Sequence, residues 1–337
     1  MSAGRAAVVC GLGTWLPPRV VTNDDLSQVL DTSDEWIRSR TGIGQRHVAD
    51  PTMATSDLAV EAGGRAMKSA EVDSVDAVVL ATTTPDRPCP ATAPLVASRL
   101  GLGTVAAFDV VAVCTGFLYG LATGAGMIAT GGAERVLVIG ADTFSTILDP
   151  HDRSTRAIFG DGAGAVVLRA GQPDEDGALG AFDLGSDGTG SELIVIPSGG
   201  SRDPRRDPDR PAEGDADPYF RMAGKSVFRN AVERMTASAR KTMTDVGWST
   251  PPDVLVAHQA NLRILHAVAD RVGIARDACA VNLDRVGNTA AASIPLALAD
   301  ATLSGLLRPG HRLLMTAFGG GLAWGSCTMR WPAVTPG

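Results

Sequence analysis

The segments DAVVLATTT (Asp76–Thr84) and DVLVAHQAN (Asp253–Asn261) are two versions of one pattern, set 177 residues apart. In each, an aspartate precedes a short apolar run with no polar alternation, and polar residues close it. Such a run fits a β-strand buried on both faces, the habit of strands in a parallel sheet covered by helices. Two further pairs lie outward from the first. VASRLGLG from Val96 parallels VADRVGIA from Val268, offset by 172, and GGAERVLVIGAD from Gly131 parallels RPGHRLLMTAFG from Arg308, offset again by 177. Order and spacing are kept, so the chain reads as two copies of one α/β unit. The copies are 1–172 and 173–337, with a join near Gly171–Gly177, GQPDEDG, whose composition is that of a loop.

Between these landmarks, apolar runs alternate with Ala- and Gly-rich helical stretches. Strands are expected at Ala6–Gly11, Ala77–Thr82, Ala106–Ala112, Arg135–Gly140, Gly164–Arg169, Val254–Ala257, His311–Thr316 and Ser326–Arg330. Helices are expected at Ser56–Ala70, Phe117–Thr130, Val227–Val246, Leu262–Val272 and Ala290–Leu306. This alternation means an α/β layered fold. Pro197–Asp217, rich in Gly, Pro, Asp and Arg, interrupts it and reads as a long surface loop, either a cap or partly disordered.

Bulk properties exclude several classes of function. A chain of 337 residues with 45% hydrophobic and 20% charged residues can bury a large core. The formal net charge of -7 is the wrong sign for a general nucleic-acid footprint. Five cysteines, Cys10, Cys89, Cys114, Cys279 and Cys327, are odd in number and lack CxxC spacing, which argues against a disulfide framework or a zinc site. No uncharged apolar run reaches the ~18 residues that span a bilayer. The N-terminus runs straight into a strand-like segment rather than a signal core. The expectation is a soluble cytoplasmic protein with no membrane or nucleic-acid partner.

Three positions suggest chemistry. Cys114 follows the apolar run AAFDVVAV and precedes a small-residue helix, so its sulfur is expected at a helix N-terminus, where a thiol pKa is lowered. A buried, inert cysteine fits the same local pattern. His258 closes the second copy of the strand, and the matching position in the first copy is Ala81, so the fold unit does not require a histidine there. Asn288, in RVGNTAAAS, is either a helix cap or the counterpart of the Cys114 turn, off by two residues. Pseudo-twofold symmetry would bring all three to one interface, and thiol, imidazole and amide together make a plausible nucleophilic site. The glycines of AFGGGLAWG could bring backbone N–H donors close to an oxyanion. FGDGAGAVVL precedes a strand instead of opening a helix, so it is read as packing and not as a dinucleotide fingerprint.

Taken in order, TSDEWIRSRTGIGQRH (Thr32–His47), DVVAVCTGF (Asp109–Phe117), LDPHDRSTRAIFGDGAGAVVL (Leu148–Leu168), MAGKSVFRNAV (Met222–Val232), HQANLRI (His258–Ile264), GNTAAASIPLAL (Gly287–Leu298) and FGGGLAWGS (Phe318–Ser326) resemble β-ketoacyl-acyl-carrier-protein synthase III. That family belongs to the thiolase-like condensing enzymes, and the resemblance covers nearly the whole chain. It implies a thiolase-like fold with duplicated halves in an α-β-α-β-α arrangement. It also implies a decarboxylative condensation of an acyl-CoA starter with malonyl-acyl-carrier protein, in fatty-acid or polyketide initiation, by a homodimer. Cys114 would accept the acyl group, while His258 and Asn288 would hydrogen-bond the malonyl thioester carbonyl. The backbone near Gly320 would serve the second oxyanion with Cys114. Trp36 and Arg40, helped by Arg153, would hold the adenine of coenzyme A. Gly224 and Asn261 would touch the pantetheine arm, and Phe228 would line the tunnel. Arg229 and Arg263 would attract the acidic carrier protein. Phe318 and Cys89 would shape the substrate pocket, Cys89 from the partner subunit. No metal or redox cofactor is expected, coenzyme A entering as a thioester substrate.

Three departures bear on the reading. The third site residue is an asparagine and not a second histidine, and no cysteine precedes the triple glycine. Where many relatives of this kind carry a bulky residue, Cys89 is small, which predicts starters longer or more branched than acetyl. An acyltransferase passing its acyl group to a hydroxyl or amine remains the alternative.

Overall fold

The computed structural model describes residues 5–203 and 217–337. The expected Pro197–Asp217 loop therefore lies, except for its ends, outside the described residues. The principal elements in chain order are β1 Ala6–Trp15, α1 Asp34–Thr41, α2 Thr55–Ser69, β2 Ala77–Ala81, α3 Ala93–Arg99, β3 Ala106–Val110, α4 Gly116–Ala129, β4 Arg135–Asp142, β5 Gly162–Gly171 and β6 Leu179–Ser186. They continue with α5 Gly224–Asp245, β7 Val254–Ala257, α6 Leu262–Val272, α7 Ser293–Leu303, β8 Arg312–Gly319 and β9 Ala323–Arg330.

The strands form two principal sheets. The first has the order β1-β5-β4-β2-β3 and the second β7-β8-β9-β6. In the first sheet β2 pairs parallel with β4, Ala77 opposite Val136; in the second, β7 pairs parallel with β8, Val254 opposite Leu313. Both pairs differ by 177, so the register as well as the order recurs. The caps recur too. Asp76 accepts the N–H groups of Glu134 and Arg135, both at 2.8 Å, and Asp253 accepts that of Arg312 at 2.7 Å. The counterpart of β3 has shrunk to a single parallel bridge, Leu255 with Cys279.

The layers follow from which faces are apolar. Both β2 and β7 are buried along their whole length, so each sheet is covered on both sides. α2 and α3 pack on the outer face of the first sheet, α4 and α7 lie between the sheets, and α5, with α6 against it, covers the second. This is the expected α-β-α-β-α stack. One core cluster spans the middle, joining Val79 and Val138 of the first sheet, Phe117 and Leu121 of α4, Leu298 of α7, and Val256 and Met315 of the second sheet. Small residues let α4 approach closely. A Cβ added at Gly120 would lie 3.0 Å from Val138, and one at Gly124 would lie 3.0 Å from Leu168.

Element ends follow local chemistry. α6 begins where the Asn261 side chain accepts the Arg263 N–H and ends at Gly273 with φ +80°, and its span is the expected one. Two elements leave little trace in the sequence. α1 carries few apolar residues, and only Ile37 and Thr41 are buried. β6 contains Gly180 and Gly185, which weaken a strand signal.

Candidate active site

The same unusual turn occurs twice. β3 leads through Ala112 to Val113, with φ +46°, then Cys114 and Thr115 in a 3-10 turn that opens α4. In the other half Thr289 leads to Ala290, with φ +47°, then Ala291 and Ala292, which open α7. A left-handed conformation is costly for alanine and more so for β-branched valine, about 1–3 kcal/mol each, and persists where the surroundings enforce it. The shift is again 177, so Cys114 corresponds to Ala291. Asn288 therefore matches Val111, three residues before the cysteine position and not two as the sequence suggested.

Cys114, His258, Asn288, Phe318 and Gly319 all line one narrow apolar cavity of ≈ 40 Å³ between the two turns. Two of its lining residues, Phe159 and Phe220, belong to a cluster of three phenylalanines. Phe144 stacks on Phe159 with centroids 4.3 Å apart, and Phe220 meets both rings edge-on at 5.0 and 5.1 Å. Gly320 sits beside the cysteine turn, where an added Cβ would press on Ile194 and Val113.

The Cys114 thiol is buried, and its pKa is raised, first by desolvation and then by the charge of Asp142, with its own backbone N–H opposing weakly. This corrects the expectation of a lowered pKa: burial outweighs the helix terminus, so the resting group is a thiol.

Asp142, at the end of β4, has no signal in the sequence. It is fully buried, and desolvation pushes it up to about 6 against opposing hydrogen bonds. Its Oδ1 accepts from the Thr83 N–H at 2.7 Å and from the Thr82 and Thr84 hydroxyls at 3.2 Å, and its Oδ2 accepts the Ala291 N–H at 3.0 Å. It ties the β2 end to the second turn. Its counterpart 177 residues on is Gly319, where an added Cβ would lie 2.9 Å from the Cys114 nitrogen. A side chain is absent where Asp142 acts in the other half. Among the described residues no carbonyl or carboxylate accepts the Cys114 N–H.

Asn288 is held on both sides. Its N–H donates to Ile158 O and its carbonyl accepts the Gly160 N–H, both at 2.9 Å. Its side-chain Oδ1 accepts the Ala290 N–H at 2.9 Å. An N–H can be met only by the amide oxygen, so Nδ2 points elsewhere and has no acceptor among the described residues. His258 closes β7, and its Nδ1 lies 2.6 Å from Ser293 Oγ at the start of α7. Desolvation pushes its pKa down to about 3, so the imidazole is neutral.

The other expected contacts gather where α5 and α6 begin. Val227, Ala260 and Ile264 line the cavity, and their neighbours Phe228, Asn261 and Arg263 belong to the same turns. Arg263 lies over Phe228 at 5.6 Å, while Arg40 and Arg153 lie over Trp36 at 4.5 and 5.1 Å. The Asn261 amide donates to Arg40 O at 2.8 Å, which binds this group to α1. Gly224 and Arg229 are exposed on the first turns of α5. Among the described residues, Arg40, Arg229 and Arg263 have no carboxylate partner, so a cationic patch stands out on an acidic chain. Cys89 is exposed and does not line the cavity within this chain.

Two family models match the chain: 3-oxoacyl-(acyl-carrier-protein) synthase III over residues 108–188, and the C-terminal part of the same family over 249–331. The chain is 62% identical to β-ketoacyl-(acyl-carrier-protein) synthase III 3 of Streptomyces coelicolor, covering 98% of this chain and 99% of that one. It is 54% identical to β-ketoacyl-(acyl-carrier-protein) synthase III of Pseudomonas aeruginosa, covering 98% of each. A crystal structure of the 3-oxoacyl-(acyl carrier protein) synthase III from Pseudomonas aeruginosa superposes with TM-score 0.91 at 53% identity, covering 98% of this chain and 100% of that one. The priming β-ketosynthase of a polyketide pathway superposes with TM-score 0.90 at 33% identity, covering 98% of both.

Proposed function

The chain belongs to the β-ketoacyl-acyl-carrier-protein synthase III family, and on that premise we propose that Cys114, His258 and Asn288 divide its reaction between them. The enzyme catalyses decarboxylative condensation of an acyl-CoA starter with malonyl-acyl-carrier protein, initiating fatty-acid or polyketide synthesis. The observation that carries the assignment is the convergence of the three side chains on one apolar cavity.

In the first stage the Cys114 sulfur attacks the acyl-CoA thioester. The acyl–sulfur bond to coenzyme A breaks, and the thiol proton leaves with the coenzyme A sulfur. The Cys114 N–H, which no carbonyl or carboxylate accepts among the described residues, stabilises the oxyanion with the backbone near Gly320. In the second stage the malonyl thioester carbonyl sits against the Asn288 amide and the neutral His258. Loss of CO₂ leaves an enolate whose negative oxygen these donors stabilise without a proton transfer. The enolate carbon attacks the acyl-Cys114 carbonyl, Cys114 leaves as thiolate, and one proton from solvent restores the thiol. We propose no cofactor beyond the coenzyme A thioester itself.

Trp36, Arg40, Arg153, Gly224, Phe228 and Asn261 are proposed to receive coenzyme A, and Arg229 and Arg263 the acidic carrier. The guanidinium groups of Arg40, Arg229 and Arg263, without a carboxylate partner among the described residues, support this. A homodimer is proposed through the edge of β3. Among the described residues that edge has no strand partner, and the adjoining Val111 is 75% exposed. Asp109 of β3 accepts the N–H groups of Thr92 and Ala93, which places the Cys89 segment beside the same edge. The proposed halves, 1–172 and 173–337, are each a scaffold for part of the site. Among the described residues no helix is long and apolar enough to cross a membrane; a cytoplasmic location is proposed.

One experiment tests the division. Intact mass after acyl-CoA treatment should show an acyl adduct on wild-type protein and none on Cys114→Ala. His258→Ala and Asn288→Ala should keep the adduct yet lose malonyl decarboxylation by about 10²–10³-fold. An adduct on Cys114→Ala overturns the nucleophile, and wild-type decarboxylation in either other variant overturns its role. Product masses with malonyl-carrier separate condensation from transfer to a hydroxyl or amine.

A further inference from the structure

We infer that Ser293 is a positioning residue that fixes the tautomer of His258, so that Nε2 carries a proton into the cavity. The inference rests on the proposed role of His258 as a donor to the malonyl thioester oxygen.

Hydrogen-bond accounting leads to it. The Ser293 hydroxyl is fully buried, and its one partner among the described residues is His258 Nδ1 at 2.6 Å. A buried hydroxyl left without an acceptor is rare and costly. The hydroxyl proton can be placed only on Nδ1, so Nδ1 must be the unprotonated ring nitrogen. A neutral imidazole then bears its proton on Nε2. Nε2 has no protein partner among the described residues and is not sealed, as the ring lines the cavity. The opposite tautomer would turn Nε2 into an acceptor facing a developing oxyanion, which is repulsive where attraction is required. Burial of the ring keeps it neutral, so the choice of tautomer is not bypassed by a second proton.

The other half of the molecule supplies an internal control. His258 corresponds to Ala81 and Ser293 to Gly116, each 177 residues earlier. These positions face each other there too, since a Cβ added at Gly116 would lie 3.0 Å from that of Ala81. The fold unit closes this contact with two small residues. Histidine and hydroxyl occur together in the half that carries His258, and neither occurs in the half that does not.

The test compares Ser293→Ala, Ser293→Thr and His258→Ala in separated half-reactions. Acylation of Cys114 is followed by intact mass, and malonyl-carrier decarboxylation by CO₂ release. Ser293→Ala should acylate at close to the wild-type rate while kcat for decarboxylation falls about 10- to 100-fold with little change in KM. That is less than the ~10²–10³ expected for deleting the donor itself. Ser293→Thr, which keeps the hydroxyl, should restore most of the loss. Nitrogen-15 NMR of the wild-type protein, with His258 assigned by its alanine variant, should show the proton on Nε2, a readout that needs no active variant. A proton on Nδ1, wild-type decarboxylation in Ser293→Ala, or equal losses in both half-reactions would each overturn the inference. If His258→Ala itself decarboxylates normally, the role of His258 fails instead.

Discussion

The two halves of the molecule share a backbone and almost nothing of their chemistry. Both have the parallel strand pair, the aspartate cap and the left-handed residue ahead of a central helix. They differ at five matched positions of the site: Cys114 against Ala291, Asp142 against Gly319, Ala81 against His258, Gly116 against Ser293, and Val111 against Asn288. The first half's carboxylate, Asp142, takes the N–H of Ala291 in the second half's turn, whereas the second half's glycine, Gly319, sets no side chain against the matching N–H of Cys114 in the first half's turn. Duplication thus supplied two rigid turns, and divergence made one a nucleophile with a free donor and the other a brace for Asn288. A substitution that makes one half resemble the other should remove function without removing the fold.

The strongest such substitution is Gly319→Asp. A carboxylate there would claim the Cys114 N–H as Asp142 claims that of Ala291, and would set a second negative charge against the thiol. Loss of one oxyanion donor alone costs about 10²–10³ in rate, so acylation should fall by at least that much. Gly319→Ala is the steric control, since its Cβ already comes within 2.9 Å of the Cys114 nitrogen. Acylation kinetics by intact mass decide the matter. Acylation of Gly319→Asp within tenfold of wild type would show that the open N–H is unimportant.

A smaller effect is expected from erasing the charge in the other half. Folding raises Asp142 from an ordinary carboxylate value of 3.8 to about 6. The folded state therefore holds its proton more tightly, and the stability this gives is present below pH ~4 and lost as pH rises through about 6. A rise of this size corresponds to roughly 3 kcal/mol, as an order of magnitude. Asp142→Asn lacks this titration. The difference in unfolding free energy between the two proteins should thus move in favour of the variant by a few kcal/mol between pH 4 and 7. Removing the charge also removes one cause of the raised Cys114 pKa, so alkylation of Cys114 by iodoacetamide should be faster in Asp142→Asn. A pH-independent difference, or slower alkylation, would contradict the burial argument.

The 177-residue repeat makes the scaffold legible, because buried strands write uninterrupted apolar runs and their register repeats the spacing. α6 is legible to the residue because asparagine and glycine mark both of its ends. What stays hidden is whatever depends on surroundings. An aspartate ending a strand has the same sequence appearance whether buried or exposed, so nothing marks Asp142, and the thiol pKa comes out with the wrong sign for the same reason. Ser293 carries no local signal as one serine at a helix start. The repeat itself holds the clue: applying its offset to Ala81 and Gly116 returns His258 and Ser293.

The smallest effect concerns starter size, where this chain's own wall is set against the wall expected from its partner. On this side the cavity ends in Phe159 and Phe220, and a volume of ≈ 40 Å³ has room for only a few atoms. On the other, the proposed dimer brings Cys89, a side chain smaller than phenylalanine. If the partner's side supplies the space, Cys89→Phe should narrow selection toward acetyl-CoA, and starters longer or more branched than acetyl should be good substrates of the wild type. Each buried methylene contributes about 0.8 kcal/mol, so the preference should change about fourfold per carbon. Phe220→Leu tests the opposite wall, since loosening the aromatic cluster should widen selection by a similar factor while Cys114 remains reactive. Measuring kcat/KM for acetyl-, butyryl- and isobutyryl-CoA in all three proteins distinguishes the walls. A rank order moved by Phe220→Leu and untouched by Cys89→Phe would assign starter choice to the phenylalanine cluster and discard the role of Cys89. The reverse pattern would show that a residue outside the catalytic chain's own cavity decides what Cys114 accepts.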